Sequence, residues 1–445
     1  MSSLMTIGEG KDAKHGTRAS PRVSFVTLGC RVNQSETDAM RHRLDGTAFS
    51  GASPPDVVVI NGCTVTALAD RKTRQLLRRM RRRHPQAAIV LIGCVGDAVR
   101  QGHAEPVAAD LIAGNAWKER IPEVVDHVLR GGRGRLPDPD APSRAGRTVA
   151  LPPPGRIRAF LKVQDGCDGV CTYCRTTQVR GRARSRPMQE ILAEARTLVA
   201  QGIHEIVTVG VDLASFHAGN GGLPRLITEL EEIPGLHRLR LGSLNPGGLT
   251  AELAQAIARS TIACPHLHVP LQSGDDAVLA RMLRPYTRTE YLDAVARMRD
   301  AHRGMTFGTD LIVGFPGESE AAFRQTREAL CEVGFVNTHI FRYSPRQGTR
   351  AASLVDDVPP SVKRRRAHQA SRLARSIRER SFAAMVGTTR SVLLERQAGG
   401  WWRGYTAGYV RVRVHPTRGL HRGAIVQVRV TAADGDGLEG TSVDE

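Results

Sequence analysis

Three apolar runs near the start of the chain stop at the same dipeptide. "VSFVTLGC" (Val23 to Cys30), "DVVVINGC" (Asp56 to Cys63) and "AIVLIGC" (Ala88 to Cys94) each read as a strand closed by Gly-Cys. Continuous apolar runs bounded by turn residues belong to strands buried on both faces. Helical patterns separate them. "RVNQSETDAMRHRL" follows Cys30, with Ser35 and Asp38 in the form of a capping box. "TVTALADRKTRQLLRRMRRRHP" follows Cys63 and ends at Pro85. "ADLIAGN" and "KERIPEVVDHVLR" supply a fourth strand and helix. This alternation predicts a doubly wound parallel sheet domain over residues 21–132. The ends of successive parallel strands share one edge, so Cys30, Cys63 and Cys94 converge although roughly 30 residues separate them. Three convergent thiolates fit an iron–sulfur cluster with one open iron, or a zinc site with a fourth ligand from elsewhere.

A chain of 445 residues holds two or three domains. No apolar run approaches the roughly 20 residues a membrane helix needs. Residues 1–20 are polar and basic, without the apolar core of a secretory signal, and read as a disordered leader. Both features point to the cytoplasm. The net charge of +19 calls for a polyanionic partner, and nucleic acid is the leading one. Base-composition bias that swaps Arg for Lys leaves net charge alone. Among eight cysteines, clustered ones argue for metal or catalysis before disulfides. Cys264 and Cys331 stand alone and are expected to be small buried hydrophobes.

Residues 133–156, rich in Gly, Pro and Arg, read as a linker. A second alternating series spans 157–386, with candidate strands "RAFLKVQDGC", "HEIVTVG", "HRLRLGS", "CPHLHVP", "TFGTDLIVG" and "NTHIFRYSP". Six strands suit a partial (β/α)6 barrel, too few for the closed eight-strand form. It ends in a basic helix, "PSVKRRRAHQASRLARSIRERSFAAMVG", with Val362, Leu373 and Ile377 placed on one face. Residues 387–433 carry short β runs between glycines and predict a small antiparallel, OB-like barrel. Residues 434–445 look acidic and disordered.

"QDGCDGVCTYCRTT" carries Cys167, Cys171 and Cys174 just after the first strand of the second series. No fourth Cys or His follows at a spacing that completes tetrahedral zinc. A [4Fe–4S] cluster takes four cysteines, so three leave one iron open. Such an iron binds the amino and carboxylate groups of S-adenosylmethionine and passes an electron to its sulfonium, and homolysis yields a carbon radical.

This stretch resembles the signature of the radical S-adenosylmethionine superfamily, with Tyr173 at the aromatic position that lies beside the cofactor's adenine. Two three-cysteine sets in this order resemble the methylthiotransferase family of those enzymes. Further matching stretches are "HVPLQSGDDAVLARMLRPYTRTEY", "GTDLIVGFPGE" and "FRYSPRQGTRAA". The resemblance implies two [4Fe–4S] clusters, S-adenosylmethionine, an external electron donor and a terminal TRAM-type RNA-binding barrel. Cys30, Cys63 and Cys94 then hold the auxiliary cluster that carries sulfur for transfer. "TLGCRVNQ", "RKTRQLLRR" and "FRYSPRQGT" resemble the branch acting on N6-threonylcarbamoyladenosine, 3′ of the tRNA anticodon. The alternatives are isopentenyladenosine in tRNA, a ribosomal protein aspartate, or, in another class, a non-catalytic iron–sulfur RNA-binding protein.

The strand ends of the barrel imply further roles. Gly210 and Asp212 fit the cofactor's ribose edge, Ser243 and Gln272 occupy other strand ends, and Arg284 offers a cation. Four positions depart from the family pattern. Gly62 stands where Thr is usual, "CVGD" where "CYAQ" is, "CRTTQVRG" where "CIIPYARG" is, and Asn245 where Glu is. The expected partner is the tRNA anticodon stem-loop, gripped through phosphate by a monomer.

Overall fold

The computed structural model describes residues 21–44, 54–105, 107–139, 149–153, 155–219 and 221–443. The expected leader, 1–20, lies outside the described residues. The chain opens with β1 (Val23–Thr27), α1 (Arg31–Arg43), β2 (Val57–Gly62), α2 (Ala67–Arg83), β3 (Ala88–Gly93), α3 (Cys94–Arg100), β4 (Leu111–Ala113), α4 (Ile121–Leu129) and β5 (Gly134–Arg135). All the pairings are parallel, and the strand order is β1-β2-β3-β4-β5. Every residue of β2 and β3 is buried, as continuous apolar runs require. Residues of α1 and α4 close one face of the sheet, and those of α2 and α3 close the other.

Three expectations change here. Strand order is sequential, so the reversal of a doubly wound sheet is absent, and with it the crevice such a reversal opens. The capping box at Ser35 and Asp38 does not form: α1 begins four residues earlier with Cys30 as its N-cap, and both side chains lie buried within the helix. Part of the linker, Gly134–Arg135, joins the sheet as its edge strand.

The second region runs through β6 (Arg158–Lys162), the short antiparallel pair β7 (Gln164–Asp165) and β8 (Arg184–Ser185), and α5 (Thr176–Arg180) between them. It continues with α6 (Met188–Ala200), β9 (Glu205–Val209), α7 (Gly222–Glu231), β10 (Arg238–Leu241), α8 (Ala251–Arg259), β11 (His266–His268), α9 (Asp276–Arg281), α10 (Arg288–Ala301), β12 (Thr306–Val313), α11 (Glu320–Val333) and β13 (Asn337–Arg342). The six long-range parallel strands form two three-stranded sheets, β10-β9-β6 and β11-β12-β13. Two isolated parallel bridges, Leu239 with Ala263 and Ser243 with His268, join β10 to the β11 side. The result is an open half-barrel whose strand C-terminal ends all face the cysteine loop.

The basic helix is α12 (Pro360–Ala383). Its buried face is Lys363, Arg366, Ala370 and Ile377, with Leu373 partly buried; Val362 is not part of it. Two cations sit inward because carboxylates meet them: Lys363 Nζ lies 2.6 Å from Asp356 and Arg366 2.8 Å from Glu318. Hydropathy periodicity cannot anticipate such a face. Cys264 is buried as expected, whereas Cys331 is exposed on α11.

The chain ends in a closed barrel of β14 (Thr389–Ala398), β15 (Trp401–Thr406), β16 (Arg411–Val414), β17 (Ile425–Asp434) and β18 (Gly437–Ser442), ordered β14-β15-β16-β18-β17. The barrel is not wholly antiparallel, since β16 and β18 pair in parallel. Nor are residues 434–443 a loose tail; residues 444 and 445 lie outside the described residues. Leu438 enters the barrel core, and the close approach of β18 to β17 suits Gly440, where a Cβ would meet Arg429 O at 2.2 Å. This barrel packs on β10 and the start of β12, away from the Cys167–Cys174 loop. Arg240 donates to Ala407 O (2.7 Å), Arg238 to Tyr405 O (3.1 Å) and Thr306 to Gly408 O (2.8 Å). Arg31 of α1 donates to Tyr409 Oη at 2.8 Å, so all three regions meet there.

Candidate active site: two cysteine triads

The strand-end glycines place the first triad. Gly29 has φ +125°, and a Cβ there would lie 2.4 Å from Cys63 Cβ; at Gly93 (φ +97°) it would meet Asn61 Oδ1 at 2.4 Å. Positive φ at the end of a strand turns the chain sharply, and only glycine does so without strain. Cys30, Cys63 and Cys94 gather at the sheet edge, close enough that Cys30 and Cys94 both bear on Cys63. Burial first, then those two neighbours, pushes the Cys63 thiol up to about 12. Metal ligation would supply the positive charge that makes the Cys63 thiol a thiolate.

N–H donors already face the sulfurs. Val65 N donates to Cys63 Sγ (3.5 Å), and Cys94 Sγ receives Arg180 Nε (3.2 Å) and Asn115 Nδ2 (3.7 Å). Arg180 is buried and also binds Asn33 Oδ1 (2.6 Å), Glu36 Oε1 (2.9 Å) and Asp165 Oδ1 (2.9 Å). Lys162 bridges Glu36 and Asp165, and Lys118 joins Glu36. Burial alone would lift Glu36; Arg180, then Lys118 and Lys162, outweigh it and hold the carboxyl well below its usual range. This network ties the sheet edge to β7, two residues before Cys167.

Cys167, Cys171 and Cys174 occupy the loop between β7 and α5, around a cavity of about 480 Å³. Gly169 N donates to Cys167 Sγ (3.2 Å), Thr176 N to Cys174 Sγ (3.3 Å) and Arg284 Nη1 to Cys171 Sγ (3.3 Å). A relay runs from Arg284 Nη2 to Asn245 Oδ1 (2.5 Å), and from Asn245 Nδ2 to Asp212 Oδ1 (2.9 Å). Asp212 Oδ2 lies 3.9 Å from Cys167 Sγ. An amide both donates and accepts, so Asn245 satisfies Arg284 and Asp212 together; a glutamate in its place would have nothing to donate to Asp212.

Both triads suit clusters better than single ions. Among the described residues, the one trio of His, Cys, Asp or Glu ligand atoms lying mutually within 4.8 Å is His268, Asp310 and His339. Neither cysteine triad is that tight. Tetrahedral zinc, with Zn–S of about 2.3 Å, would draw three sulfurs to within roughly 4 Å of one another. The His–Asp–His trio is accounted for by hydrogen bonding, with Asp310 Oδ1 3.2 Å from His268 and 3.1 Å from His339.

Of the residues expected around the cofactor, Asp212 and Arg284 meet the second triad, and Tyr173 lies within its loop. Gln272 lines the neighbouring cavity with Tyr173 and has a left-handed φ of 63°. Gly210 packs against Gln164 and Leu213, where a Cβ would come within 2.9 Å of Gln164 Oε1. Ser243 bridges to His268. Asn33, Asn115 and Arg180 are missed by sequence reasoning, although Arg180 lies in the quoted "CRTTQVRG". Two departures have local reasons. Gly62 is hemmed in by Leu91, Val95 and Thr73, and Asp97 of "CVGD" accepts from Asn115 N (2.8 Å) and Nδ2 (2.7 Å), fixing the amide beside Cys94.

A cavity of about 710 Å³ lies beside the second triad's loop, with none of the six cysteines in its lining. Tyr173 of the second triad's loop lines one side, and Val65 to Leu68, directly after Cys63, line the other. Gln272, Asp310 and the end of β13 complete it.

Residues 161–330 match the Radical SAM superfamily, and residues 22–114 match the Uncharacterized protein family UPF0004. The chain is 33% identical to the threonylcarbamoyladenosine tRNA methylthiotransferase MtaB of Chlamydia pneumoniae, over 94% of this chain and 97% of that one. It is 34% identical to the protein of the same name from Thermotoga maritima, over 94% and 96%. It is 35% identical to a tRNA-2-methylthio-N(6)-dimethylallyladenosine synthase of Chloroflexus aurantiacus, over 93% and 90%. In fold it is similar to the radical S-adenosylmethionine methyltransferase TsrM of Kitasatospora setae, with a TM-score of 0.54 at 15% identity, over 80% of this chain and 89% of that one. No described helix is long and apolar enough to cross a membrane. The chain belongs to the MtaB-type radical S-adenosylmethionine methylthiotransferase family.

Proposed function

We propose that this protein adds a methylthio group to C2 of N6-threonylcarbamoyladenosine beside the tRNA anticodon. The observation that carries the reading is two cysteine triads in one chain, with a cavity lined both by Tyr173 of one triad's loop and by Val65 to Leu68, directly after Cys63 of the other. The family uses S-adenosylmethionine and two [4Fe–4S] clusters. When bound, these groups supply the radical that activates C2–H, the sulfur that replaces the hydrogen, and the methyl group from a second S-adenosylmethionine.

The chain's own residues hold and orient. Cys167, Cys171 and Cys174 hold one cluster and leave an iron for S-adenosylmethionine; Cys30, Cys63 and Cys94 hold the other. Arg284, Asn245 and Asp212 fix the first loop against β9 and β10. Arg180 does the same for Cys94, and its N–H tunes the sulfur it touches. Tyr173 separates the radical centre from the substrate cavity. An unstacked loop adenosine enters that cavity cheaply, because no base pair must open.

The C-terminal barrel has the strand order and single parallel pairing of an OB-like module, and we read it as the TRAM-type RNA grip. Arg403, Arg418, Arg422 and Arg429 are exposed on it, and Trp401 packs at a tilt against His415 with ring centres 4.0 Å apart. Guanidiniums with an aromatic platform suit phosphate and single-stranded bases. A tRNA substrate puts the enzyme in the cytoplasm, acting as a monomer with an external electron donor. The test is nucleoside mass spectrometry after anaerobic reaction with anticodon stem-loops. Appearance of the 2-methylthio derivative on the threonylcarbamoyl substrate supports the reading. Product only on the isopentenyl substrate, or S-adenosylmethionine cleavage with neither product, overturns it.

A further inference from the structure

The relatives above act on two chemically different adenosines and match this chain about equally well. Overall identity therefore does not select the substrate; the local cavity must. A dimethylallyl group is a hydrocarbon, whereas a threonylcarbamoyl group ends in a carboxylate. The cavity lined by Tyr173 and Val65 to Leu68 carries the cations Arg71, Arg342, Arg346 and Lys363 against the acids Asp310 and Asp356. Most of these charges are already matched. Lys363 is paired with Asp356 at 2.6 Å, Arg346 with Asp70 at 2.7 Å, and Asp310 with His268 and His339.

Two guanidiniums remain. Arg71 on the second turn of α2 and Arg342 at the end of β13 are exposed, and among the described residues neither makes a hydrogen bond or ion pair. They come from the two halves of the molecule that carry the two triads. Around them the rim is apolar: Val65 is 55%, Leu68 54% and Phe341 38% exposed. Exposed apolar side chains beside free arginines suit a ligand that is a flat ring at one end and an anion at the other.

Resting on the function proposed above, we infer that Arg71 and Arg342 are specificity-determining residues that receive the threonyl carboxylate while the apolar rim takes the base. A planar guanidinium binds carboxylate through two parallel N–H bonds, which no hydrocarbon side chain engages. The same chemistry would also fit a backbone phosphate of the RNA, and the test separates the two.

Full-length enzyme with both clusters is assayed on one anticodon stem-loop in two forms, carrying threonylcarbamoyladenosine or its methyl ester, which lacks only the charge. The wild type should prefer the free acid in kcat/KM by roughly 10- to 100-fold, the range of a charge-assisted hydrogen bond. The R71A/R342A variant should lose that preference, with the loss falling on the free acid alone. Arg→Lys at both sites should keep part of it, as a point charge without the planar fork. Equal losses on both forms would assign the arginines to phosphate and overturn the inference. So would a variant that retains the preference. A wild type that makes no methylthio product from either form overturns the underlying function itself. That result is distinct from a wild type that makes product equally well from both forms, which overturns the inference and leaves the function standing.

Discussion

The two cysteine triads present the same three sulfurs by opposite routes. Cys167, Cys171 and Cys174 lie on one loop, so their proximity is local and needs only the turn between β7 and α5. Cys30, Cys63 and Cys94 come from three strand ends and exist as a site only when β1, β2 and β3 pair in register. The supports differ in kind too. Arg284 reaches Cys171 through a half-exposed relay beside a cavity, whereas Arg180 reaches Cys94 from within a buried charge network. A site built by one loop tolerates local change. A site built by a sheet edge depends on everything that holds the sheet to its neighbour.

The contrast between the triads predicts effects of decreasing size. The largest is Cys171→Ala, which should abolish 5′-deoxyadenosine formation. Cys94→Ala should instead still cleave S-adenosylmethionine but yield no methylthio product, with iron falling from about eight to about four per chain. Retained product, or loss of all iron, would erase the division of labour between the centres.

Next is Arg180→Leu. It removes the buried cation shared by Asn33, Glu36 and Asp165, leaving Lys118 and Lys162 to face the two carboxylates, and should cost roughly 2–3 kcal/mol in thermal or chemical unfolding. Arg284→Leu, at the half-exposed relay, should cost only about 1 kcal/mol. Similar losses for both would contradict the contrast between buried and local support.

Asn245→Asp is subtler. It removes the donor to Asp212 and sets two carboxylates together, so KM for S-adenosylmethionine should rise by roughly 10-fold, with stability little changed. If Asn245→Asp behaves like wild type, the relay is ornamental.

The smallest effect concerns pH. Glu36 is held below its ordinary value in the folded protein, so its contribution is complete above the unfolded value of about 4.3 and is lost as pH falls below it. The gap in Tm between wild type and Glu36→Gln should therefore be steady from pH 8 to 5 and close below about pH 4. A gap that widens on acidification would reverse the sign of this linkage.

Much of this architecture was legible in residue patterns. Each of the six expected runs contains one of the barrel strands, because apolar period and flanking glycines act over a few residues. The convergence of three Gly-Cys ends followed from parallel pairing alone. The failures have physical causes of another range. Ser35 and Asp38 have the form of a cap, but the chain turns at Gly29 and starts the helix earlier. The acidic ending looks solvated, yet Leu438 and the small Gly440 let it complete a barrel. The inner face of α12 carries Lys363 and Arg366 because Asp356 and Glu318 wait there, and hydropathy assigns cations to solvent.

The sequence by itself determined the strand–helix alternation, both sets of thiols and the glycines that let them turn inward. These depend on backbone freedom and side-chain period within one element. Only the tertiary structure decided which cations attend which sulfurs, that Asn245 completes a relay, and that Arg71 and Arg342 stand unpaired across one cavity. Arg180 lies 86 positions from Cys94 and 147 from Asn33 along the chain. At such separations, charge and hydrogen-bond partners are chosen by packing, and no local pattern encodes them.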